Sequence, residues 1–409
     1  MRRATLLAAL VAALAGCGGG KGQPAGQTPK SKTATIAVIA PFSRESYLGT
    51  TIANGTELGL RRLIVPVGRD YYGFKVKRYD NAASASRAVA ATRRAIADHV
   101  LAIVTDGTGV DASWKLAKDA GIPIGIVYDG ATGLVDPEKR PNVFRIAPTN
   151  HGLAFRLAEY LVPKGLELAL LTDDTGYGRA GRKDLDHAFS EYPESVVTRI
   201  QIPSTATDLA PQILQARRAH ATGLIVWGQP SAIAEALIAA RSAGWKVPVY
   251  TPPAGEDPLV RQELAGHPSW VDGLTFASGR MTAEKGPGPF LSFQAALTQQ
   301  FGAQQVGVKT SEGRPVTQPP DYAMYPFDFV RLVATALRAA RSPDPDAVTS
   351  ALDQVSIEGA NGDHRGFNER NHEGVVDDDV YFARFADMTY APVEDDALSA
   401  TLPTIPQEG

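Results

Sequence analysis

Three short stretches place reactive side chains beside glycine. Gly176-Tyr177-Gly178-Arg179-Ala180-Gly181 matches the G-x-G-x-x-G spacing that cradles a dinucleotide. That chemistry needs the first glycine at a strand end and an acidic residue closing the next strand. Here Thr172-Asp173-Asp174-Thr175 intervenes, and the next apolar run ends in Ile202-Pro203. Asp174-Thr175-Gly176 has the Asp-Thr-Gly of acid proteases, whose two carboxylates must share one proton. The second copy is missing, because Asp106-Gly107-Thr108-Gly109 is scrambled. No G-x-S-x-G elbow and no H-E-x-x-H helix occurs. The seven histidines are scattered, and Cys17 is the single cysteine, so a transition-metal site lacks ligands. Asp377-Asp378-Asp379 lacks EF-hand spacing. The sequence therefore predicts no metal, no cofactor and no catalytic constellation, which points to a binding protein rather than an enzyme.

The remaining polar glycine-rich loops each follow an apolar run. Ile124-Gly125-Ile126-Val127 empties into Tyr128-Asp129-Gly130-Ala131-Thr132-Gly133. An open α/β sheet puts its ligand at such strand ends. Gly130 and Thr132 are expected to hold the polar end of a small solute. Pro41 to Gly49, with Tyr47 and Leu48, follows another run, and Thr105 to Gly109 a third. Asp173 to Gly178 would face them. Backbone N–H groups, hydroxyls and aromatic rings at these points suit a small-molecule cleft.

The elements that must position these loops alternate regularly. Strands are predicted over Thr35–Ala40, Phe74–Tyr79, Val100–Val104 and Pro123–Val127, with helices near Thr50–Leu63, Ala85–Ala97 and Ala112–Ala120. After Asn142-Val143-Phe144-Arg145 the pattern restarts. Strands fall at Glu167–Leu171, Val196–Ile202, Gly223–Trp227, Val249–Tyr250 and Gly273–Ala277, with helices at Gly152–Val162, Arg179–Phe189, Leu209–Ala219 and Ala232–Ala243. The runs are short, rich in Val and Ile and not alternating, as when both sheet faces are covered. Two sets of βα units imply two doubly wound parallel-sheet lobes. Farther on, Pro289–Phe301 and Met324–Ala340 read as helices, Lys309 to Pro320 as a polar loop, Asp344-Pro345 as a helix start and Val380–Phe385 as a strand.

The 409 residues exceed one hydrophobic core. A formal charge of −3 offers no basic footprint for nucleic acid. Met1-Arg2-Arg3, the apolar Ala4 to Ala13 and Leu14-Ala15-Gly16-Cys17 form a secretory signal pattern, its apolar run too short for a membrane span. Leu-Ala-Gly-Cys also resembles the bacterial lipobox, implying cleavage after residue 16, a lipid on Cys17 and anchorage to the outer face of the cell membrane. Residues 17–32 read as a flexible tether and 392–409 as an acidic, proline-containing tail.

From Thr35 to Ala391 the chain resembles the leucine/isoleucine/valine-type solute-binding proteins of ABC importers, with the type I periplasmic-binding fold. The resemblance rests on Ile36 to Ser43 with Gly49 and Asn54-Gly55, on Asp80, on Gly121-Ile122-Pro123 with Ala131-Thr132, and on Phe144-Arg145 with Pro148. Asp174 with Tyr177-Gly178, Ala243-Gly244 before Val249, and Phe327-Asp328 complete it. It implies a three-crossing hinge near Ala147–Asn150, Ala277–Arg280 and Gly362–Phe367. The first lobe would hold 33–148 plus 279–364, and the second 149–278 plus 365–391.

The resemblance also implies site roles. Gly130 would act through its carbonyl and Thr132 through its hydroxyl, beside Ala131. Thr108-Gly109 would bind a carboxylate, Tyr177 would cap it from the second lobe, and Tyr47 and Leu48 would line the side-chain pocket. Permease and ATPase subunits would be the protein partners; a ligand-sensing receptor of the same fold is the alternative. Two departures bear on the ligand. Where the family has an acidic partner for the ammonium stands Pro252-Pro253, with Glu256 and Asp257 three to four residues late. Its Gly-Gly-Tyr becomes Gly228-Gln229-Pro230. Either Glu256 reaches in on a rearranged loop, or the solute is a carboxylate or amide without the amine. Trp227, Tyr47 and Tyr177 would suit a flat solute.

Overall fold

The computed structural model describes residues 29–279, 286, 288–318, 321–375 and 380–391. The signal pattern, Cys17 and the tail lie outside them.

The first sheet collects β1 (Ser31–Ala40), β2 (Val65–Val67), β3 (Asp70–Asp80), β4 (Ala102–Thr105), β5 (Ile124–Ile126) and β6 (Val143–Arg145) in the order β2-β3-β1-β4-β5-β6. All neighbours are parallel except β2 on β3. The helices α1 (Ser46–Leu60), α2 (Ala85–Ala97) and α3 (Val110–Asp119) connect them. Parity along β1 explains the unbroken apolar run. Ile36, Val38 and Ala40 face one core, while Ala37 and Ile39 face the other. In α2 the buried Ala88, Ala91, Thr92 and Ala95 follow the helical period. β1 begins at Ser31, so the last two residues of the expected tether pair with β3, Lys32 opposite Tyr72.

The second sheet contains β7 (Leu168–Asp173), β8 (Val196–Ile202), β9 (Gly223–Trp227), β10 (Val249–Thr251) and β11 (Leu274–Ser278), all parallel. The helices α4 (Asn150–Leu161), α5 (Gly176–Ala188), α6 (Ala210–Arg218), α7 (Pro230–Ser242) and the short α8 (Pro258–Glu263) surround it. A hairpin of β12 (Gln305–Lys309) and β13 (Pro315–Thr317) follows α9 (Gly288–Phe301). After α10 (Met324–Ala340) and α11 (Pro345–Leu352) comes a second hairpin, β14 (Ser356–Glu358) with β15 (His364–Gly366). Finally β16 (Tyr381–Ala386) and β17 (Thr389–Ala391) add antiparallel strands beside β11, giving the order β17-β16-β11-β10-β9-β7-β8. Both sheets are thus mixed at one edge, where purely parallel sheets were expected.

Core membership divides the chain differently from the expected 279–364 and 365–391 boundaries. α9 and α10 pack into the first lobe, with Phe290, Phe293, Phe329 and Val333 in its core. α10 lies close on α1 because Gly59 leaves room: a Cβ there would stand 2.9 Å from the Phe327 carbonyl. The β12–β13 hairpin between them instead buries Val306, Val308 and Val316 in the second-lobe core. The chain therefore makes an extra excursion across the cleft, so the described residues show more than the three expected crossings. The return near Gly362–Phe367 is also later than expected. Phe367 and Val375 remain in the first-lobe core. His372 to Gly374 run beside β6, with Arg145 N donating to the His372 carbonyl at 2.9 Å and Gly374 N to that of Arg145 at 2.8 Å.

Candidate functional site

A cleft of about 830 Å³ opens between the lobes at the C-terminal ends of the parallel strands. From the first lobe it receives the loop after β1 with the first turn of α1, the loop after β4, and the Tyr128 to Leu134 loop after β5. From the second it receives the loops after β7, β9 and β10. Of the residues expected at the site, Tyr47, Leu48, Thr108, Gly130, Ala131, Tyr177, Gln229 and Glu256 line this cleft.

Gly109, Thr132 and Trp227 are not among its lining residues, each for a visible reason. Gly109 sits at φ 72° as the residue before α3, against Ala85 and Ala88. Thr132 is exposed, in a turn just beyond the cleft. Trp227 is fully buried on the α4–α5 face of the second sheet, where β9 alternation sends Ile225 and Trp227 together; its ring lies 5.9 Å from that of Tyr177.

The loops are held by their own carboxylates. In the first lobe, Asp106 is 5% exposed and accepts from Asn81 Nδ2 at 2.7 Å, from Thr105 Oγ1 at 3.2 Å and from the Thr108 hydroxyl. Asp129 accepts the Ala131 amide at 2.8 Å. The Gly130 carbonyl receives the Asn150 amide at 2.8 Å. Arg145, 2% exposed, donates Nη1 to the carbonyls of Asp129 and Ala131 at 3.0 Å each and pairs with Glu373 through Nε at 2.7 Å and Nη2 at 2.5 Å. The loop after β5 is thereby fastened to the returning chain at Glu373.

In the second lobe, Asp173 plays the corresponding part. It accepts from the Thr175 amide at 3.0 Å and from the Gln229 amide at 2.7 Å, joining the loops after β7 and β9. Thr175 caps α5 by accepting from Gly178 N at 3.1 Å. This explains the Asp-Thr-Gly and glycine-rich matches as capping chemistry. Asp257 caps α8 through the Leu259 amide at 2.8 Å.

Several wall residues were not among the expected site residues: Asp106, Tyr128, Asn150, Tyr322 and Tyr325 line the cleft, as does Asp257, which the sequence offered beside Glu256. Tyr128 and Tyr322 meet edge to face at 4.9 Å, and the Tyr322 hydroxyl donates across to the Pro253 carbonyl at 2.7 Å. A strand-end position was a usable signal for Asp106 and Tyr128; Tyr322 and Tyr325 had none.

Burial dominates the electrostatics of this wall. It pushes the carboxyls of Asp106, Asp129, Asp257 and Glu45 above their ordinary values, with neighbouring Asp129 adding to the rise at Asp106. Glu256, fully buried, rises to about 8 despite the Tyr390 hydroxyl on Oε1 and the nearby Arg261.

The sequence profile of the periplasmic binding proteins matches residues 33–389. The chain belongs to that family. Solved structures agree on the fold. A leucine-binding protein from Thermotoga maritima is 18% identical, with a TM-score of 0.71 over 87% of this chain and 97% of its own. The branched-chain amino acid transporter substrate-binding protein of Streptococcus pneumoniae in complex with isoleucine is 17% identical, at 0.72 over 88% and 97%. A Rhodopseudomonas palustris ABC-transporter solute-binding protein in complex with 3,4-dihydroxybenzoic acid is 19% identical, at 0.69 over 90% and 95%. No curated protein matched the sequence. The type I periplasmic-binding fold is therefore the architecture of this chain. Among the described residues no helix is long and apolar enough to cross a membrane, and no cluster of His, Cys, Asp and Glu could hold a metal ion.

Proposed function

We propose that this chain is the extracytoplasmic solute-binding component of an ABC importer, tethered through lipidated Cys17 and closing on one small molecule between its lobes. The observation that carries the reading is the cleft itself, about 830 Å³ in volume and lined from both lobes at their strand ends. That is the size and place of a small-molecule site in open α/β sheets. Only closure lets both lobes touch one solute, so binding would shift the population toward the closed form, which permease subunits would recognise. Isoleucine and 3,4-dihydroxybenzoic acid in the neighbours fit the expectation of an amino acid or a small carboxylate or amide. The tyrosines of this wall would accept a flat molecule.

The test is a melting-temperature screen of amino acids, amides, amines and aromatic acids at saturating concentration, beside mass spectrometry of solute released from denatured protein. A ligand present at 100 times its Kd should stabilise the fold by about 2.7 kcal/mol. A flat screen together with an empty release would remove the solute-binding function.

A further inference from the structure

Of the hydroxyls that the resemblance assigns to a ligand carboxylate in the first lobe, one is held by this chain's own carboxylate and the other lies outside the cleft lining. The Thr108 hydroxyl donates to Asp106, leaving only its lone pairs for the cleft. The Ala131 amide is bound by Asp129 at 2.8 Å. Thr132, the other hydroxyl, is exposed. An incoming carboxylate would meet Asp106 and Asp129 where it needs donors.

The same sign recurs around the cleft. Glu45, Asp106, Asp111, Asp129 and Asp257 line it against one described cation, Arg44, while Glu256 beside them keeps its proton up to about pH 8. Of the guanidinium groups nearby, Arg145 is spent on Glu373 and Arg140 on Asp111 at 2.7 Å. Buried Arg261, outside the cleft lining and stacked over the Phe385 ring, offsets part of the charge of Asp257. Glu45 lies within the field of both Asp106 and Asp257, so the negative potential spans first and second lobes. Tyrosine rings complete the wall at Tyr128, Tyr177 and Tyr322, a ring type that attracts cations.

A second observation is independent of charge. Asn150, 1% exposed, lines the cleft, and its side-chain Nδ2 has no hydrogen-bond partner. A buried amide donor without a partner costs free energy that a ligand acceptor would recover.

We propose that the cleft takes a small organic cation, an amine or guanidine that also carries a neutral oxygen acceptor for Asn150, and not an anion. The proposal rests on the solute-binding function above and names its ligand class. Asp129 and Asp106 receive the cationic end in the first lobe, Asp257 closes on it from the second, and Asn150 meets the neutral oxygen.

The experiment titrates the full chain with ethanolamine, glycinamide and argininamide against isoleucine and 3,4-dihydroxybenzoate, by calorimetry and by melting temperature. At least one amine or guanidine should bind, and the two carboxylate probes should not. Asp129→Asn keeps an acceptor for the Ala131 amide, and Asp257→Asn one for Leu259; each should weaken the amine roughly tenfold or more. If isoleucine or dihydroxybenzoate binds and the amines do not, the cation proposal falls and solute binding stands. Amine binding unaffected in both variants overturns it equally. If no probe binds, the cation proposal falls, and a solute released from denatured wild-type protein decides separately whether the binding function survives. The wild-type comparison needs no variant to fold.

Discussion

Glu256 is where burial and charge oppose each other most directly. Its carboxyl is fully buried and raised to about 8, with desolvation as the leading cause. In the unfolded chain the same group titrates near 4.5. Below that value both states hold the proton and folding is not penalised. Between about 4.5 and about 8 only the folded state holds it, so stability declines as pH rises through that window. Glu256→Gln keeps an acceptor for the Tyr390 hydroxyl and removes the ionisable group. Its melting temperature should match wild type at pH 4.5 and exceed it by several degrees at pH 8. Equal melting temperatures at both values would show that Glu256 ionises in the fold without cost. At this scale the sequence was readable where local chemistry decides. The Asp-Thr-Gly of 174–176 could be set aside as a protease signature, and Thr175 does cap a helix. It was unreadable where parity decides. Trp227 looked like ligand wall, yet strand alternation sends it to the α4–α5 face beside Ile225.

Among the elements, the strand-and-helix order was legible almost throughout. α2, α10, β8 and β9 have the expected bounds, because their apolar periods are long or their ends are sharply punctuated. β13 falls inside what reads as the polar loop Lys309 to Pro320, and β12 in the stretch that leads into it, where no element was expected. The signal of β12 was present in Gln305-Val306-Gly307-Val308-Lys309, a period-two pattern that the structure shows as exposed and buried in turn. Likewise the β16–β17 turn uses Asp387 and Met388 at φ 47° and 67°, with no glycine to announce it. The hairpin's anchorage is specific. Val306 and Val316 are each 1% exposed in the second-lobe core, and Gln262 Nε2 donates to the Val306 carbonyl at 2.7 Å. On the other side of the cleft, Gln318 Nε2 donates to the Tyr47 hydroxyl at 2.8 Å. Val306→Ala should therefore cost roughly 1–3 kcal/mol in urea unfolding, the range for deleting buried methyl groups. A variant as stable as wild type would mean that the hairpin is not docked on the second lobe.

For the whole molecule, Tyr322 makes one of the contacts that join the walls. Tyr322 belongs to the first-lobe core, and its hydroxyl reaches the Pro253 carbonyl on the loop after β10. Chain crossings alone would leave the lobes free to hinge; a direct hydrogen bond between them biases the equilibrium toward closure. Such a bond contributes about 0.5–1.5 kcal/mol net, which is roughly a two- to tenfold change in the ratio of closed to open forms. Tyr322→Phe retains the edge-to-face packing on Tyr128 while removing the donor. Ligand-free Tyr322→Phe protein should therefore show a larger radius of gyration by small-angle scattering than wild type. Saturating ligand should return both proteins to the same value, because the solute supplies contacts to both lobes. Its apparent Kd should rise by the factor that the closed population falls. An unchanged radius in the ligand-free variant would place the closing force elsewhere, on the hairpin that straddles the cleft or on the hinge. None of this was visible in the sequence, since Tyr322 stands in no motif and its partner is a backbone carbonyl 69 residues away.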